Sequence, residues 1–178
     1  MNVTSGPHRG RRTGVSLAVS LLCFTLASCS GDQEEREYST PRSVCGTAID
    51  AEALTEFLPP GKEVSAKATT PSPKATRCAV SVDGKRIVYT AREWWNDMSV
   101  LEFAKGLSLD KPGHRTDDGR FAYSEDQAFG KTRNCRDDHG HVLYTAVLAT
   151  GSKHRDAAAM KTLITRYTEA VERSDACR

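Results

Sequence analysis

The chain has 178 residues, 27% of them charged, with 25 Lys+Arg against 23 Asp+Glu. A balance this close to neutral leaves no electrostatic footprint for nucleic acid or for an anionic membrane surface. Residues 1–28 hold three of the 25 basic residues and no acid, so without them 22 basic face 23 acidic side chains, a net −1 on 150 residues, the size of one domain.

Arg9, Arg11 and Arg12 precede twelve uncharged, mostly apolar residues at 15–26. A basic segment followed by so short an apolar run reads as a secretory signal and cannot span a bilayer. Thr13 and Gly14 stand where a twin-arginine leader carries an apolar pair, which favours the general secretory route. The run ends in Leu26, Ala27, Ser28 and Cys29, and this tetrapeptide resembles a bacterial lipobox. The resemblance implies cleavage at residues 28/29, a diacylglyceryl thioether on Cys29, and attachment to the membrane through that cysteine. Two acyl chains suffice for a stable anchor. Residues 30–43, SGDQEEREYSTPRS, are polar and read as a tether reaching about 50 Å when extended.

The folded domain is expected over 44–178. Ala51, Leu54, Phe57 and Leu58 recur at helical spacing, with Thr47 or Asp50 as N-cap and the Pro59, Pro60, Gly61 run as terminator. Residues 62–69 suit an edge strand and residues 70–73 a loop. Cys78, Val80 and Val82 alternate, Asp83 and Gly84 supply a type I′ turn, and Ile87, Tyr89 and Ala91 alternate back towards Trp94 and Trp95. Ser99 and Glu102 form a capping-box pattern opening a short helix that Gly106 is expected to end. Residues 109–119 read as loop and residues 121–124 as a strand. A second hairpin is expected through 132–135 and 141–149, its return strand VLYTAVLA apolar on both faces and hence central. Ser152 is expected to cap the longest helix, with Met160, Leu163, Ile164, Tyr167, Ala170 and Val171 inward.

Cys23 departs with the leader and Cys29 carries the lipid, leaving Cys45, Cys78, Cys135 and Cys177. Four cysteines in an exported chain allow three pairings. Cys45–Cys78 and Cys135–Cys177 are favoured, because each joins a helix-bearing segment to a strand. No CxxC or tight Cys/His spacing supports zinc. The order helix, strand, cysteine-bearing strand, glycine turn, apolar strand occurs twice, with Gly84 and Gly140 as matching turns. Either an internal αβββ duplication or ordinary α+β alternation gives that order.

Chemistry-bearing residues are few. Asp137, His139 and His141 are the densest set of potential metal ligands, and a hydrolase would have to use this turn. The same residues also suit a solvated hairpin turn. There is no nucleophile elbow, Ser-x-x-Lys, His-Glu-x-x-His or phosphate loop, so no catalytic residue and no cofactor is assigned. Trp94 and Trp95 alternate across a strand, so one ring can enter the core while the other meets a partner. Arg86 and Arg92 flank this strand without making a basic stripe.

The lipobox, the acidic tether, Cys45 beside a short helix, Cys78 in a hairpin and a terminal helix ending in Cys177 together resemble the small secreted lipoproteins of actinobacteria. The resemblance implies a location at the extracytoplasmic face of the cell membrane and supplies no active-site residues. The reading is therefore an α+β domain: an antiparallel sheet with packed helices, two disulfides and a long C-terminal helix. Its expected role is a non-enzymatic binding or accessory module for an envelope protein, wall polymer or small ligand.

Overall fold

Asp83 (φ 48°) and Gly84 (φ 78°) both lie in the left-handed region, the type I′ geometry that joins β4 (Ala75–Val82) to β5 (Lys85–Trp95). The computed structural model describes residues 35–108 and 111–178; the leader, the lipobox with Cys29 and the start of the tether lie outside them. A second turn of the same hand, Cys45 (φ 47°) and Gly46 (φ 80°), joins β1 (Ser43–Val44) to β2 (Thr47–Ala48). Thr47 therefore belongs to a strand, and Asp50 alone caps α1 (Ala51–Phe57), accepting from the Glu52 and Ala53 amides.

Packing starts before residue 44. Arg36 Nη2 donates to the carbonyls of Thr55 at 3.1 Å and Leu58 at 2.6 Å, adding a second donor to the Thr55 carbonyl, which already accepts from the Leu58 amide, and satisfying the C-cap carbonyl at the end of α1. Tyr38 donates its hydroxyl to the Pro59 carbonyl, and Arg36 bridges Gly61. The expected tether is thus docked from residue 36 onward.

Seven strands form one antiparallel sheet in the order β3-β4-β5-β9-β8-β7-β6. β3 (Val64–Ser72) runs through the expected loop at residues 70–72, with a register shift between Thr69 and Ser72. An edge strand tolerates Pro71, which has no amide to give to the ladder. β6 (His114–Arg115) pairs with β7 (Phe121–Tyr123) inside the other expected loop. β8 (Gln127–Arg136) starts earlier than alternation suggests, and β9 (Val142–Leu148) is central as expected.

Side-chain alternation sends Val88, Leu143 and Val147 to one face, under α1 and α3 (Ala157–Glu172), and Ala91, Tyr144 and Ala146 to the other, under α2 (Val100–Leu107). Fully burying a side chain such as Phe57, Phe103 or Leu163 contributes about 1.5–3 kcal/mol. The capping box of Ser99 and Glu102 forms. The helix nevertheless passes through Gly106, because a glycine there makes room for the Trp95 ring, whose Cη2 lies 2.6 Å from where a Cβ would stand. Ser152 does not cap α3. It lies in a turn that Gly151 ties to the Ile87 carbonyl, and Asp156 accepts from the Ala158 and Ala159 amides instead. Ala170 is only half-buried, and Thr168 takes an inward position, bonded to Thr145 at 2.6 Å.

Both favoured disulfides are present, Cys45–Cys78 and Cys135–Cys177. Cys177 sits in a 3-10 turn (Asp175–Cys177) beyond the end of α3. The two halves repeat their order of elements but not their geometry. β5 and β9 are antiparallel neighbours, so a rotation exchanging the halves would keep both short helices on one face, whereas α1 and α2 lie on opposite faces.

Candidate functional site

The two groups singled out in the sequence, the Trp94–Trp95 pair and the Asp137–His141 turn, meet at one end of the sheet. The turn is built around the Asp137 carboxylate. It accepts from the backbone amides of His139 (2.9 Å) and His141 (2.8 Å) and from the His141 ring Nδ1 (2.7 Å). Gly140, at φ 81°, allows the chain to close around it. Desolvation pulls the Asp137 pKa up, but these three hydrogen bonds outweigh it and hold the carboxyl below the ordinary range.

With Nδ1–H donated to Asp137, His141 presents its Nε2 lone pair outward, where Lys74 Nζ lies 3.1 Å away. Both ring nitrogens are thereby engaged, and an ammonium stands where a metal ion would have to sit. His139 contributes only its amide to Asp137, and its ring is edge-on to His141 at 6.0 Å. Of the trio Asp137, His139 and His141, the structure joins the side chains of Asp137 and His141 and sets the His139 ring apart, and the turn forms an Asp–His–Lys chain ending at Lys74.

Lys74 lies in the short turn between β3 and β4, and its carbonyl accepts from the Trp94 amide at 2.8 Å. Together with Pro73, Thr76, Arg92, Trp94, Leu143 and Ala176 of the C-terminal turn it lines a cleft of about 320 Å³. Arg92 faces the same way as Trp94 because the two are separated by one strand residue, and it pairs across the ladder with Thr76. Among the described residues the Arg92 guanidinium has no hydrogen bond or ion pair, and no carboxylate lines the cleft.

Trp95 belongs to the other face and is used by the fold. Its Nε1 donates to Glu93 at 3.1 Å, and its ring packs edge-on against Phe103 at 5.6 Å. Glu93 is held in turn by Arg77 at 2.8 Å. Of the expected pair, Trp94 lines the cleft beside Lys74. Sequence reasoning set Arg92 aside and missed Lys74 altogether. The i, i+2 spacing of Arg92 and Trp94 on a strand was an available signal; Lys74 and His141 are 67 residues apart and left none.

A larger cleft of about 530 Å³ opens at the opposite end of the hairpin, between Pro59, Pro60, Asp83, Lys85 and His154. Beside it, ligand atoms of Glu56, His154 and Asp156 lie within 4.8 Å of one another. Each has a structural use: Glu56 pairs with His154 at 3.6 Å, and Asp156 caps α3. No described helix is long and apolar enough to cross a membrane. Comparisons with protein-family models, curated proteins and solved structures find no match.

Proposed function

We propose that the chain is a lipid-anchored binding module of the cell envelope, held through Cys29 at the outer face of the cytoplasmic membrane, with the Trp94 cleft as its binding surface. The observation that carries this reading is the polarity of the domain. The chain leaves the domain at Arg36, which bridges Gly61 beside the Asp83–Gly84 turn. The cleft lies at the other end of β5, ten residues on, roughly 30 Å away at strand rise. Six residues lie between Cys29 and Arg36, a span of about 25 Å at full extension. A domain held at the Gly61 end presents Trp94 away from the bilayer. Its two disulfides suit an oxidising, extracytoplasmic compartment.

The anchor is tested by metabolic labelling with an alkyne fatty acid. The parent chain is expected to take up label and partition into detergent, and Cys29→Ser to lose both. A cleaved, unlabelled chain that stays on the membrane would remove the reading.

A further inference from the structure

We propose that the Trp94 cleft binds an acidic sugar, a pyranose ring bearing a carboxylate or a phosphate. This rests on the reading of the cleft as a binding surface and specifies its ligand. Three features of the lining select that class. The first is charge. Arg92 and Lys74 bring two cations to a cleft without a lining carboxylate, in a mature chain whose net charge is slightly negative, so the positive potential is local. Asp175, next to Ala176 on the rim, is already paired with Arg178 at 3.0 Å.

The second feature is how those cations are presented. Lys74 is held by an imidazole nitrogen and not by an acid, which leaves two of its three N–H donors for a ligand. Arg92 keeps its planar fork, which matches a carboxylate or phosphate in bidentate fashion.

The third is the rest of the lining. Trp94 adds an indole ring and Thr76 a hydroxyl-bearing side chain. A ring with C–H groups on one face and hydroxyls at its edge satisfies both. Two cations neutralise one anionic group. A nucleic-acid strand needs a groove of cations tracking its backbone with stacked aromatics, and the cleft offers one aromatic and a volume of about 320 Å³, at the small end of ligand sites.

The test uses the full processed chain in detergent, with four probes followed by tryptophan fluorescence and calorimetry. These are trigalacturonate, glucose 6-phosphate, neutral maltotriose and inorganic phosphate. At least one acidic sugar is expected to bind saturably, and maltotriose and inorganic phosphate to bind at least tenfold more weakly. Arg92→Gln and Lys74→Gln are each expected to weaken the acidic sugar tenfold or more, the scale of one lost charge-assisted hydrogen bond. Circular dichroism and Tm of both variants should match the parent. Which acidic probe binds separates a carboxylate from a phosphate ligand.

Maltotriose binding as tightly as the acidic sugars, in a Trp94-dependent way, would overturn the ligand class and keep the binding module. Inorganic phosphate binding as tightly would reduce the site to an anion contact and overturn the proposal. Failure of all four probes, or binding indifferent to both substitutions, would also overturn it, while the Cys29 labelling result stands independently.

Discussion

The guanidinium of Arg92 and the ammonium of Lys74 show how a fold can hold positive charge ready without spending it on an internal acid. Other cations of the domain are spent on carboxylates. Lys131 and Arg136 both bind Asp97, with Arg136 Nη2 at 2.6 Å, and Arg120 binds Glu172 at 2.7 Å. The Lys131 hydrogen bond first, and Arg136 second, push the Asp97 pKa down to about 2. Because the folded value lies below the unfolded one, this carboxylate stabilises the fold above about pH 4 and stops doing so as pH falls through 2. Asp97→Asn should therefore lower Tm at neutral pH, with the gap to the parent closing between about pH 4 and 2; a gap that persists unchanged at pH 2 would contradict the assignment. At the cleft, His141→Ala should weaken the binding of an acidic sugar less than Lys74→Gln does, since His141 positions the lysine and touches no ligand. Equal losses, with folding intact, would place His141 in contact with the ligand.

At the scale of elements, what the sequence disclosed was whatever local chemistry decides. The Asp83–Gly84 turn, the Ser99–Glu102 capping box and the apolar stripe of α3 each depend on neighbours within a few residues. What it concealed depends on tertiary partners. Ser152 has the right chemistry for a cap, yet Gly151 is drawn to the Ile87 carbonyl and the helix waits for Asp156. Gly106 reads as a terminator until the Trp95 ring is placed over it. Residues 36–42 look like linker because they dock through polar contacts, with carbonyls at the end of α1 and with the Thr55 hydroxyl, and so carry no apolar pattern. Two substitutions test these local accounts by thermal melting. Ser99→Ala removes the oxygen that accepts from the Glu102 amide and should cost about 1 kcal/mol. Arg36→Ala should cost about 1 kcal/mol if the docked segment secures α1; no change in Tm would return residues 36–42 to the tether.

Across the whole molecule, the cysteine pairings were legible because each joins a helix-bearing segment to a strand, whereas the cleft was not, since it is assembled from the β3–β4 turn, β4, β5, β9 and the C-terminal turn. The Cys135–Cys177 bridge closes 42 residues and holds the turn that carries Ala176 against the cleft. Its removal by paired alanine substitution should cost about 2–4 kcal/mol and loosen the cleft's rim, seen as faster amide exchange at the C-terminal turn and weaker acidic-sugar binding. The proposed anchor and the cleft lie at opposite ends of the domain, and the chain's two tryptophans, Trp94 and Trp95, both lie at the cleft end of β5. The direct measurement is therefore to reconstitute the protein purified from membranes in vesicles of brominated phospholipid and record its tryptophan emission after flotation. The account predicts that the protein floats with the vesicles and that its emission matches that in unbrominated lipid. Quenched emission would put the cleft against the bilayer, and failure to float would remove the anchor.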